Sequence, residues 1–135
     1  MTSRRCIVLE EGVRELLEQY HYTVRILPAI YNRHVLRVHL VASRGPDETR
    51  YIRIRKSYRR RRTIQNVETM CRTDIVIYRR ILSGPDRIAG LHCEIWIYSP
   101  YDGYHCFEVL PDSVREIPQL VPEHAELSHG KGAAG

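Results

Sequence analysis

Leu9, Val13, Leu16, Leu17 and Tyr20 recur at the spacing of one helical face, with Glu10, Glu11, Arg14, Glu15 and Glu18 elsewhere around it. This pattern predicts an amphipathic helix over residues 7–20. Glu10 and Glu11 near its start suit the helix dipole, and Arg14 lies four residues before Glu18. Thr23 to Leu27 is a β-rich run stopped by Pro28, hence a first strand. Val35 to Ala42 follows as a second, with Leu36, Val38, Leu40 and Ala42 on one face and Val35, Arg37, His39 and Val41 on the other. After a turn at Ser43–Asp47, Tyr51 to Lys56 returns as a third strand, its Ile52 and Ile54 opposed to Tyr51, Arg53 and Arg55. Two successive strands therefore place polar or cationic groups on one common surface. A sheet buried on both faces reads as apolar throughout, so that surface is predicted to be open or functional.

Ile64, Val67, Cys71, Ile75, Tyr78 and Leu82 step by three or four, predicting a helix with Thr63 as N-cap and Gly84-Pro85 as stop. The β-branched Ile75-Val76-Ile77 pulls against that assignment. Leu91 to Ser99 alternates as a strand, and Pro100–Gly103 turns it into a second hairpin arm over Tyr104 to Leu110. Ser113 and Glu116 have the spacing of a capping box for one short helical turn. Beyond Pro118 the chain is rich in proline, histidine, glycine and alanine, with little to stabilise an ordered state. The expectation is an α/β fold, αβββαββ in order, with a mixed sheet flanked by helices. It forms a single domain over residues 1–117, with a flexible tail at 118–135.

Composition adds a local charge. Seven of the ten residues from Arg53 to Arg62 are cationic, more than the +5 net charge of all 135 residues, so the rest of the chain is net acidic. Arg59 to Arg62 precede a helix, where positive charge opposes the dipole, and they are expected to serve an anionic partner. Only Lys56 and Lys131 are lysines. Arginine's planar fork suits bidentate contact with phosphate, although genome composition also produces such a bias. Cys6, Cys71, Cys93 and Cys106 form no C-x-x-C pair and fit neither a zinc ribbon nor a disulfide framework. With no apolar run near 18 residues and no signal peptide, the expectation is a reducing, cytoplasmic setting without a membrane. His92, Glu94 and His105 could approach one another across the hairpin, but their spacing matches no zinc pattern, and no metal is expected there.

The order helix, three strands, helix, two strands resembles the core of restriction-endonuclease-like proteins, the PD-(D/E)xK nucleases. Archaeal Holliday junction resolvases are similar in size and order. Leu9 to Leu17 followed by Tyr22-Thr23-Val24 resembles their opening helix and first strand, and Glu10 falls where that family keeps a glutamate near the metal. The resemblance implies an acid closing the second strand and Glu-x-Lys or Asp-x-Lys on the third, where carboxylates hold Mg²⁺ and lysine positions the attacking water. Here His39-Leu40-Val41-Ala42 and Ile52-Arg53-Ile54-Arg55-Lys56-Ser57 stand in those places. In one register Lys56 matches the lysine and Ile54 replaces the acid; in the other, Arg53 and Arg55 replace both. Neither leaves a carboxylate on the third strand, and cations there repel a divalent metal.

The expected function is nucleic-acid binding, DNA or RNA, by a nuclease-like protein that has lost metal-dependent cleavage. Arg37, His39, Arg53, Arg55, Lys56, Arg59, Arg60, Arg61 and Arg62 would form the binding surface. Glu10, His39 and Lys56 would be vestiges of a catalytic site, with no cofactor. Trp96, Tyr98, Tyr101 and Tyr104 are read first as packing or homodimer surface and second as a stacking platform for bases. Two alternatives stand beside this one. One is a regulatory module docking an acidic protein through the arginine tract; the other is an active, Mg²⁺-dependent nuclease with an atypical site.

Overall fold

The computed structural model describes residues 4–28, 38–58, 64–85, 87–101 and 103–118, with side chains from Leu9 onward. Helix α1 (Arg4–Gln19) leads into strands β1 (Thr23–Ile26), β2 (Leu40–Ser43) and β3 (Thr49–Lys56). Helices α2 (Ile64–Met70) and α3 (Arg72–Ser83) follow, then strands β4 (Leu91–Ser99), β5 (Gly103–Val109) and β6 (Val114–Ile117). The strands form one six-stranded mixed sheet in chain order, β3 and β4 parallel and every other neighbouring pair antiparallel. A parallel pair requires a crossover, which α2 and α3 supply. The single α/β domain with a mixed sheet between helices is as the hydrophobic pattern predicted. Val35, Leu36, Arg37, Arg59–Arg62, Thr63 and the tail from residue 119 lie outside the described residues.

Each face of the sheet is covered over a different half. Helix α1 packs on β1, β2 and β3, where Val13 and Leu17 meet Leu40, Ala42, Ile52, Ile54 and Trp96. On the other face α3 packs on β4 and β5 and α2 on β6, so Val67, Ile75, Tyr78 and Leu82 meet Ile95, Ile97, Phe107 and Val109. Strand β4 is common to both layers, and its residues Cys93 to Ile97 are buried without a break. That burial is why its alternation of Cys93, Ile95 and Ile97 against Glu94 and Trp96 does not separate inside from outside.

Four local expectations are corrected. The predicted long helix breaks at Cys71 (φ −112°, ψ 29°), between α2 and α3. Backbone bonds Cys71 N–H to Val67 O (2.8 Å) and Ile75 N–H to Cys71 O (2.9 Å) keep the apolar stripe in phase. The break lets one stripe reach β6 with its first part and β4 and β5 with its second. The capping-box segment is the edge strand β6, because Val114 and its neighbours pair with β5 and those ladder bonds outweigh a single local turn. Helix α1 begins at Arg4, so Glu10 and Glu11 lie beyond its first turn, and Arg14 pairs with Glu11 instead of Glu18. Finally, Val38 and His39 lie outside the second strand, which is described as Leu40–Ser43, for a reason that bears on the functional site below.

Gly90 enters β4 at φ +71°, and a Cβ placed there would lie 1.7 Å from the Asp47 carbonyl oxygen in the β2–β3 turn. Its own carbonyl accepts from Thr49 N–H (3.1 Å), so the close approach aligns the starts of the parallel strands. Gly90→Ala is expected to cost about 2–4 kcal/mol, from left-handed strain plus overpacking. A lowered urea midpoint with unchanged m-value would register it.

Candidate nucleic-acid interface

Strand β3 carries its cations on both faces. Arg50, with Ile52 and Ile54, points toward α1, whereas Tyr51, Arg53 and Arg55 point toward the α3 face. Asp74 of α3 has no exposed surface and receives both arginines, Arg55 Nη1 at 3.0 Å and Arg53 Nε at 3.5 Å. The expected open surface is thus partly closed: the Arg53 side chain is 14 % exposed and that of Arg55 29 %. Asp74 escaped notice in the sequence, yet its signal is there. It lies three residues after Cys71 and four before Tyr78, on the buried stripe of α3. An acid on an apolar stripe needs a cation beneath it.

His39 interrupts the second strand. Its N–H bonds to Ile52 O (2.8 Å), although Leu40 is the registered partner of Ile52, so two residues face one as in a β-bulge. Val38 consequently turns into the α3-side core while Leu40 faces α1, which corrects the expectation that both share one face. The His39 ring then stands in for a strand acceptor: its Nδ1 accepts from Ile54 N–H (2.9 Å). That nitrogen therefore carries no proton, and Nε2–H points toward Glu10 Oε2 at 3.8 Å. His39 is fastened to the main chain of β3 and is not arranged as a general base.

Glu10 belongs to the buried stripe of α1 with Val13 and Leu17, the i, i+3, i+7 set, and is 8 % exposed. Burial, reinforced by Glu11, pushes its carboxyl up against the opposing pull of Arg53. Glu10 and His39 therefore do meet. Lys56 does not join them; its ammonium lies 5.7 Å from the centre of the exposed Tyr58 ring. Ile54, the other residue between these groups, is packed among apolar side chains.

Three cations, Arg53, Arg55 and Lys56, thus stand against two carboxylates, one of which resists ionisation. The surplus lies at the carboxyl end of β3, where the chain leads through Ser57 and Tyr58 into the arginine tract that α2 follows. Such strand ends, beside a crossover, are where open sheets containing parallel strands place ligands.

The opposite end of β3 is neutral by comparison. Arg50 is bound by Glu94 and by Glu48 (3.2 Å), and its Nε donates to the Tyr22 hydroxyl (2.9 Å), which is also bonded to Glu48. Glu94, fully buried, accepts from Trp96 Nε1 at 2.9 Å, so that indole is packed and unavailable to bases or to a second subunit. Tyr104 lies edge-on to Trp96 and also contacts Tyr98, leaving Tyr101 as the exposed aromatic of the hairpin. His92 pairs with Glu108 (2.8 Å) and His105 with Glu116 (3.5 Å), so these two and Glu94 do not converge.

A magnesium site does not fit the described residues. Glu10 faces a histidine N–H, Asp74 is taken by two guanidinium groups, β3 carries no carboxylate, and no three His, Cys, Asp or Glu side chains among them converge. None of the described helices is long and apolar enough to cross a membrane. No protein-family model matches the chain, and no curated protein sequence does.

Asp74→Asn removes the charge that two guanidinium groups share. The expected loss is about 2–3 kcal/mol, less than for a wholly buried pair because water reaches Arg55; thermal unfolding at neutral pH checks it. Glu10→Gln has the opposite sign. An acid whose pKa is raised on folding holds its proton more tightly in the native state, so its contribution to stability falls as pH climbs above the ordinary 4.5. The variant should gain on wild type above that pH and converge with it below, as read from urea midpoints between about pH 4 and 7.

Proposed function

We propose that this protein binds nucleic acid through the carboxyl end of β3 and the arginine tract that follows, without metal-dependent cleavage. The observation that carries the proposal is the density of charge there: seven cations in the ten residues from Arg53 to Arg62, with Asp74 committed to the inner two. Arg53 acts as a strut on Asp74. Arg55, which keeps donors facing outward, joins Lys56 and Arg59 to Arg62 on phosphate; Arg37 extends the surface in sequence. His39 contributes shape through the bulge.

The element order and the Glu10 position support a restriction-endonuclease-like ancestry, resembling the Holliday junction resolvases. In the register that aligns Lys56, the acid's place is taken by Ile54, which faces α1, the helix that carries Glu10. Phosphate would then meet guanidinium groups where relatives present it to a metal. None of the described helices offers base-reaching residues at this end, so recognition rests on backbone or shape rather than sequence. The same guanidinium groups would also hold an acidic protein segment, the regulatory reading, so the two are separated directly.

Binding of fluorescent DNA and RNA, read by anisotropy, is expected to fall by roughly 10³ between about 50 and 200 mM salt. Replacing Arg59–Arg62 by glutamine should weaken every nucleic acid alike and lower the salt slope by roughly 1 per arginine engaged. Absence of binding even at low salt would remove the proposal, and Mg²⁺-dependent cutting of branched or linear DNA would replace it with the nuclease.

A further inference from the structure

The face of β1 and β2 away from α1 holds a cavity of about 320 Å³, a size that accepts a small molecule or a single base. Its form follows from the sheet register. Arg25, Val41 and Tyr51 are partners across β1, β2 and β3, and Thr23, Ser43 and Thr49 form the next row. Adjacent strands lie about 4.8 Å apart, so Arg25 and Tyr51 stand roughly 10 Å apart at the backbone with Val41 between them. Leu27 and Val38 complete an apolar floor, Ser43 and Thr49 supply hydroxyls at one edge, and the half-exposed Ile88 overhangs it. Among the described residues no acidic side chain lines the cavity, and Arg25 is the charged one. Burial pushes the Tyr51 phenol up, so its hydroxyl stays a donor at neutral pH.

The occupant is indicated by what adjoins the cavity. Tyr51, Arg53 and Arg55 are alternate residues of β3 and share one face, so the cavity lies on the same side of the sheet as the partly exposed Arg55, beyond the Arg53–Asp74 pair. A ligand lying on Arg55 has a phosphate backbone, and the side group it would turn into an apolar slot walled by a phenol is a base. A duplex keeps its bases stacked and paired; a single strand, a bulge or a frayed end does not.

We infer that this cavity seats one unpaired nucleobase, stacked on Tyr51 above Val41, with Arg25 beside its sugar-phosphate. This rests on the nucleic-acid reading above and narrows it to strands with unpaired bases. The base-stacking term is sequence-tolerant, since every base has a π-face, so the site selects structure rather than sequence.

The test compares three probes of equal length on the full chain: a single strand, the same strand with abasic sites, and its duplex. The intact strand is expected to bind about tenfold tighter than either of the others, the yield of one stacked base. Tyr51→Leu, which keeps an apolar side chain, should erase that preference and leave duplex affinity unchanged. Arg25→Gln, at an exposed position, should reduce it without altering stability. A 2-aminopurine probe should show its base stacked on binding wild type but not Tyr51→Leu. Equal, salt-dependent binding of intact and abasic strands would overturn the cavity assignment while leaving the binding function in place. Failure of all three probes to bind would overturn both.

Discussion

A strand bearing Arg50, Arg53, Arg55 and Lys56 runs inside the sheet between β2 and β4, and its charge has to be neutralised before its apolar residues can be buried. Because side chains alternate across a strand, the burden falls on both faces. Glu94 and Glu48 meet Arg50 on the α1 side, and Asp74 meets Arg53 and Arg55 on the α3 side. Glu94 and Asp74 have no exposed surface, and an unpaired charge at such a depth costs several kcal/mol. These pairs therefore fix β4 beside β3 and α3 above it as firmly as the apolar contacts do. They specify register in a way that interchangeable aliphatic side chains cannot.

The two ends of β3 differ because neutralisation is complete at only one of them. At the amino end, Tyr22, Arg44, Glu48, Arg50, Glu94 and Trp96 form a closed network. Burial opposes the Glu48 carboxylate, but the Tyr22 hydroxyl and the Arg44 and Arg50 guanidinium groups outweigh it and hold its pKa below the ordinary value. His92 and Arg115 do the same for Glu108 on β5, again against burial. Both carboxylates favour the fold above the ordinary carboxylate range and lose that contribution as pH falls through their lowered values. At the carboxyl end the acids run out, and the surplus cations continue into the tract. On the function proposed, a polyanion would be drawn to that end of β3.

The diagonal placement of the helices has a second consequence. With α1 over the first half of one face and α2 and α3 over the second half of the other, part of β1 and β2 has none of the described helices above it. Arg25, Val41 and Tyr51 form their cross-strand row there, directly upstream of the cations on the same face of β3. The bulge at His39 contributes as well, since it turns Val38 into the floor of that cavity instead of toward α1.

Elements and their order could be taken from the chain alone, because periods of 2 and 3.6 survive wherever one face is buried. Strand β4 spans the expected Leu91 to Ser99, and Gly84-Pro85 ended α3 as expected. The density of cations from Arg53 to Arg62 was equally plain. What lay beyond the sequence was every feature that depends on which groups meet. Glu10 and Asp74 sit on buried helical stripes, a periodic signal masked by their charge, and their partners His39 and Arg55 lie 29 and 19 residues away along the chain. The bulge at His39 replaces a strand contact with a side chain, which no alternation of residues records. The Ser113–Glu116 capping box was overruled by an open sheet edge. Local pattern determines how a segment can fold, because it depends on neighbours within a turn or two. Which arginines remain free for an outside partner is decided only when the sheet and helices have chosen which of the protein's own acids to bring beside them.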